Sequence, residues 1–185
     1  PLIEKIRDLA TEQNTISERI IADHIRAAMF LLVDHVRPSN VDQGYILRRL
    51  IRRAVRHGRK IGIKGNFLEQ LGALVLAHPE MMKQPIVLLQ ALQDEENQFN
   101  KTLENGLKQF RKLEVQLTEQ NSKQISGDQA FHLYDTFGFP IEITKELATE
   151  IGLSVDEQGF TDAFKKHQDL SRQGSEQKFA GGLAD

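Results

Sequence analysis

Gly44-Tyr45-Ile46-Leu47-Arg48-Arg49-Leu50-Ile51-Arg52-Arg53-Ala54-Val55-Arg56-His57-Gly58-Arg59-Lys60-Ile61 sorts its apolar and basic residues by helical period. At roughly 100° per residue, Arg48, Arg49, Arg52, Arg53, Arg56, Arg59 and Lys60 share one arc of about 140°. Leu47, Leu50, Ile51, Ala54, Val55 and Ile61 share the opposite arc, and the two classes do not mix. A half-buried strand would alternate them instead. The stretch therefore predicts an amphipathic helix, its apolar arc on a core and its basic arc facing outward. Tyr45 falls inside the basic arc near the N-terminal end, and His57 at its edge, in reach of a phosphate.

Like charges four apart on a helix repel by a few tenths of a kcal/mol per pair, so this face needs counter-charge. Two sources are open: the phosphates of a nucleic acid, or the acidic remainder of the chain, for example Asp94, Glu95 and Glu96. Six arginines against one lysine favour phosphate, because the planar guanidinium grips it through two bonds and a merely solvated face would use more lysine. A helix laid along a nucleic acid in this way contacts backbone and adds affinity without sequence information.

The rest of the chain sharpens the contrast. The 185 residues hold 24 Lys+Arg and 26 Asp+Glu, a net charge of −2. Eight basic and no acidic residues lie between Gly44 and Lys64, which leaves −10 on the remainder. Such segregation is an electrostatic footprint on an acidic body. A chain this long buries about 70% of its unfolded surface and needs no staples. It has no cysteine, which excludes a disulfide framework, thiolate catalysis and thiolate-bound zinc, and points to a reducing, cytoplasmic setting. No apolar run approaches the ~20 residues of a membrane span, so no membrane partner is expected. Pro1 in place of Met reads as the start of a piece of a longer chain.

Outward from the basic stretch the chain reads as an all-α, irregular multi-helix bundle. A short apolar-periodic stretch opens it. Ser17 suits the N-cap of a helix reaching about 36, stopped by Pro38. Ser39 or Asn40 caps the basic helix, and Gly62 ends it. Asn66 caps a helix over 67–77. Pro85 begins a long helix to about 120, in which Phe99, Leu103, Gly106, Phe110, Leu113 and Leu117 form a coiled-coil-like seam. Ser126 starts a helix to about 137, and Pro140 another to about 151. Ser154-Val155-Asp156-Glu157 has the capping-box pattern. The tail from Gln173 reads as a linker, and no strand alternation is visible.

Two proline-punctuated corners, Arg37-Pro38-Ser39-Asn40 and Leu133-Tyr134-Asp135-Thr136-Phe137-Gly138-Phe139-Pro140, each present a short polar side chain, which by itself is an ordinary cap. The six histidines lack metal spacing. His24 lies on the apolar side of its helix and reads as a satisfied core histidine. Asp94-Glu95-Glu96 reads as a solvated part of the long helix. No glycine-rich phosphate loop occurs.

These blocks resemble the alanyl-tRNA synthetase family. Ile21-Ala22-Asp23-His24-Ile25-Arg26-Ala27, Pro38-Ser39-Asn40, the run 44–59 and the run 133–140 stand in that family's order and spacing, and Val155-Asp156-Glu157-Gln158-Gly159-Phe160 extends the match. The resemblance implies a helical tRNA-recognition domain over 1–172, divided at 125/126, with 173–185 leading to an absent editing domain. It implies alanine tRNA as partner, held by its acceptor stem, beside catalytic and editing domains of the same chain. By motif, Asn40 and Asp135 correspond to the residues that recognise the G·U wobble pair. Arg48, Arg49, Arg52, Arg53, Arg56, Arg59 and Lys60 then serve the RNA backbone, with Tyr45 a further contact. The family's ATP and Mg2+ belong to the catalytic core and its Zn2+ to the editing domain, so no catalytic residue, metal or cofactor is expected here. The chemistry agrees. The guanine 2-amino group of a wobble pair has no base partner, and a carboxylate such as Asp135 is a pure acceptor. Asn40 can donate or accept. Two other readings stay open: a generic helical nucleic-acid-binding module, or a protein-interaction scaffold using the 99–117 seam.

Overall fold

Apolar residues recurring three and four apart fold into helices along nearly the whole length. The structure, a computed structural model, describes residues 1–77 and 85–181. Among these the order is α1 (Leu2–Leu9), α2 (Thr15–Val33), α3 (Asp42–Lys60), α4 (Leu68–Leu76), α5 (Pro85–Glu119), β1 (Gln124–Ile125), α6 (Gly127–Phe137), α7 (Ile141–Glu150), β2 (Ser154–Val155) and α8 (Glu157–Gly181). The fold is all-α apart from the two strands. They pair in parallel, Gln124 with Ser154 and Ile125 with Val155. Two residues are too few for alternation to register in a sequence. The chain forms two compact units, Pro1–Glu104 and the residues from Asn105 on, so the boundary falls inside α5 rather than at 125/126.

In the first unit α2 packs on α1, α3 and α4. It buries Ile21, Ile25, Ala28, Met29 and Leu32, and α3 buries Leu47, Ile51, Ala54 and Val55. Each of these Ile, Leu, Met and Val side chains contributes roughly 1.5–3 kcal/mol when fully buried. Gly58 admits the fully buried ring of Phe67, since a Cβ there would lie 2.3 Å from it. Gly62, with φ +77°, follows the last residue of α3 and its C-cap Ile61, as expected of its position.

The caps of α2, α4 and α8 differ from expectation. Asn14, not Ser17, caps α2, accepting from the Ser17 amide at 2.9 Å. Ser17 is the third residue of the helix and buried. For α4 the cap comes from another helix: the Glu96 carboxylate accepts from the amides of Phe67 at 3.0 Å and Leu68 at 3.1 Å. Asn66 bonds Asn97 and Asn100 instead. In the second unit Ser154 belongs to β2, and Asp156 accepts from the Gly159 amide at 2.9 Å. The capping box that does form is Ser126 with Gln129.

The 99–117 seam is buried throughout. Gly106 closes against Phe139, whose ring would lie 2.6 Å from a Cβ. A seam filled by its own chain is not a partner surface, which removes that basis for the scaffold reading. α6 packs on α7 and α8. Gly127 lets α6 touch α8 backbone to backbone, a Cβ there falling 2.0 Å from the Gly159 carbonyl carbon. The stretch read as a linker continues α8 as far as Gly181, uninterrupted by proline; 182–185 lie outside the described residues.

Candidate nucleic-acid interface

The corner before α3 is built from backbone and small side chains. Ser39 donates its amide to the Gly44 carbonyl at 3.1 Å, and its hydroxyl donates to the Val41 carbonyl at 3.0 Å. A Cβ on Gly44 would lie 2.1 Å from the Ser39 hydroxyl and 2.5 Å from the Arg37 carbonyl. Only glycine lets the corner lie flat on the first turn of the helix. The N-cap is Val41, without a side-chain bond, so neither Ser39 nor Asn40 caps α3. Asn40 is exposed, and its amide oxygen accepts from Nη1 of Arg48.

The basic arc divides into two borders. Arg48, Arg52 and Arg59, at one edge, face α5. Arg52 donates from Nε to Oε1 of Glu95 at 2.7 Å, pairs with the same oxygen through Nη2 at 2.7 Å, and lies 5.2 Å from the centre of the Phe99 ring. Arg48 meets Glu95 at 3.2 Å. Arg59 donates to Asn100 at 2.9 Å and to the Ile63 carbonyl at 2.7 Å. At the other edge Arg49 and Arg53 are half-buried and Lys60 is exposed, as Tyr45 near the start of the helix is half-buried. Arg53 lies 2.9 Å from Nε2 of His24, which is thereby satisfied.

The outward-facing arc is therefore corrected at Arg52, 8% exposed, and Arg56, 4% exposed. The physical reason at Arg52 is the Glu95 carboxylate of α5, a buried counter-charge that draws the guanidinium inward; Arg56 lies beside the buried ring of His57. His57 is also in the core, with Nδ1 3.0 Å from the Ser17 hydroxyl and Nε2 3.5 Å from Arg56. Glu95 and Glu96 are 6% and 0% exposed, not solvated. Glu95 is neutralised by arginines. Burial pushes Glu96 up from 4.5 to about 6, opposed by its two backbone amide bonds and by Arg59.

Asp135 is exposed in the last turn of α6 and caps nothing. That end is closed by Gly138 in the left-handed region, whose amide reaches the Tyr134 carbonyl at 2.9 Å. A carboxylate there opposes the helix dipole. Nε2 of His167 approaches it at 3.7 Å, and the His167 ring lies 5.4 Å from that of Phe131. Phe131, Tyr134, Phe160 and Phe164 form one aromatic cluster between α6 and α8. Sequence reasoning missed His167, which carries no motif signal. Among the described residues no group of three or more His, Asp and Glu is placed to hold a metal, and no helix is long and apolar enough to cross a membrane.

Comparison with known proteins narrows the class. The family model of class II (A) tRNA synthetases matches residues 1–182, and the chain belongs to that family. It is similar to the alanine–tRNA ligase of Treponema denticola at 49% identity, and to those of Treponema pallidum and Borrelia hermsii at 45% each. All three alignments cover 100% of this chain and 33% of the relative, so the chain spans about a third of their length.

Proposed function

We propose that this chain is the tRNA-binding segment of an alanine–tRNA ligase. In this reading it holds the acceptor stem of alanine tRNA in the cytoplasm for ATP-dependent alanylation by a class II core elsewhere in the protein, and carries no catalytic residue itself. Asn40 in the first unit and Asp135 in the second recognise the G·U wobble pair. Arg49, Arg53 and Lys60, at the accessible border of α3, contact phosphate, with Tyr45 beside them. Arg52 and Arg56 are withdrawn from that role by burial and support the helix instead.

The observation that carries the reading is Asp135: an exposed carboxylate, set where the helix dipole disfavours it, performing no capping service. Its one described ion-pair partner, His167, stands 3.7 Å away on the exposed side of α8 and leaves the carboxylate accessible to a ligand, and as a pure acceptor it complements the free guanine amine. Asp135→Asn adds an amide donor against that amine while changing the helix little. In the full-length protein it is expected to reduce charging of wobble-containing tRNA by roughly 1–3 kcal/mol of discrimination. Thermal stability should hold or rise slightly, because the dipole conflict is relieved. Normal charging of the wobble tRNA by Asp135→Asn would overturn the assignment.

A further inference from the structure

An asparagine side chain can read a base edge in two senses, as donor or as acceptor, and its neighbours decide which. Arginine has only donors, so the Asn40 atom facing Nη1 of Arg48 is the carbonyl oxygen. The amide NH2 is then the group left to the exposed side of the corner. Arg48 is itself held. Its Nε meets Glu95, which is buried and fixed in turn by two 2.7 Å contacts from Arg52 beneath the Phe99 ring. The chain of contacts Phe99–Arg52–Glu95–Arg48–Asn40 runs from the core of the first unit to its surface and ends on one amide.

We propose that Arg48 is a positioning residue, not a phosphate contact, and that it commits Asn40 to donating. The group Asn40 recognises is then a hydrogen-bond acceptor, on a base edge or a ribose hydroxyl. This rests on the functional reading above and deepens it: Asp135 accepts, Asn40 donates, and a stem is selected by presenting the complementary pair. Anchoring on Glu95 removes the rotamer freedom that would let Asn40 turn over and accept, so the polarity of the contact is set before RNA arrives.

Two variants of the full-length protein test it, with RNA hairpins copying an acceptor stem that carries either G·U or G·C. Asn40→Asp keeps the bond from Arg48 and nearly the same shape, but has no donor. Its added charge weakens both stems alike, so the ratio of the two affinities is the readout. Arg48→Lys keeps the charge but loses the fork that spans Glu95 and Asn40. Each change is expected to lower the preference for the G·U stem roughly tenfold, and the double variant to lose no more than either alone, because both act through one contact. An unchanged preference in Asn40→Asp overturns the donor assignment. An unchanged preference in Arg48→Lys, or an equal loss for both stems, overturns the positioning role. A wild-type protein that binds the two stems equally overturns the wobble reading itself, before either variant is consulted.

Discussion

Arg52 and Arg49 sit three residues apart on the same helix, in the same basic arc, and answer different physical demands. Arg52 lies under α5 with its charge matched by Glu95 and its face against Phe99. Arg49 lies at the accessible border with Lys60. Of the two sources of counter-charge that the sequence left open, the chain's own glutamate serves the inner border, and phosphate is the one proposed here for the outer border. In this reading a single run of cations is two devices, one that fastens α3 to the fold and one proposed to face RNA.

The largest expected effect breaks the inner border. Arg52→Ala leaves a buried glutamate short of its closest partner, and removing one member of a buried ion pair costs about 3–5 kcal/mol. Arg49→Ala should cost clearly less, since Arg49 is only half-buried. Hydrogen exchange of the α3 amides measures both. Equal costs would erase the distinction between the borders.

The next effect compares two adjacent glutamates. Glu95 is matched by guanidiniums, Glu96 mainly by backbone amides, and it is Glu96 that burial raises to about 6 from 4.5. A carboxyl with a higher pKa folded than unfolded binds more protons when folded. Its contribution is complete below 4.5 and lost as pH rises through 6. Over that window it amounts to about 2 kcal/mol, at 1.36 kcal/mol per unit. Stability measured from pH 4.5 to 6.5 should therefore fall less steeply, or rise more, in Glu96→Gln than in wild type. Parallel curves would mean that the amides of Phe67 and Leu68 hold Glu96 ionised throughout.

These contrasts mark what sequence could supply. Helix number and type followed from apolar spacing, which burial in any partner preserves: 99, 103, 110, 113 and 117 are all inside. The positions of Asn40 and Asp135 at exposed corners followed from proline and glycine punctuation. What spacing could not supply was which element covers a polar face. Nothing in residues 42–60 says that a glutamate some forty residues later will sit on Arg52, or that the same helix will cap α4 through Glu96. Caps failed for a related reason. Ser17, Ser39, Asn66 and Ser154 are all competent cap residues, and the choice among neighbours was made by tertiary contacts such as Ser17 with His57.

The smallest expected change in stability tests the outer border, where function should move instead. Arg49→Ala with Lys60→Ala removes one half-buried and one exposed cation from the outer border. Folding stability should fall less than in Arg52→Ala, since Arg49 is only half-buried and Lys60 exposed. If both contact phosphate, each contact releases about 0.9 of a counterion, so the slope of log affinity against log salt should fall by about 2 in the full-length protein. Phosphates are the same in every stem, so affinity for G·U and G·C hairpins should drop by the same factor. Arg52→Ala offers the control: a buried guanidinium makes no phosphate contact, so whatever it does to stability, the slope per folded molecule should not change. Should the slope move with Arg52 and stay fixed with Arg49 and Lys60, the borders would have exchanged roles, and the assignment of phosphate to the outer border would be wrong.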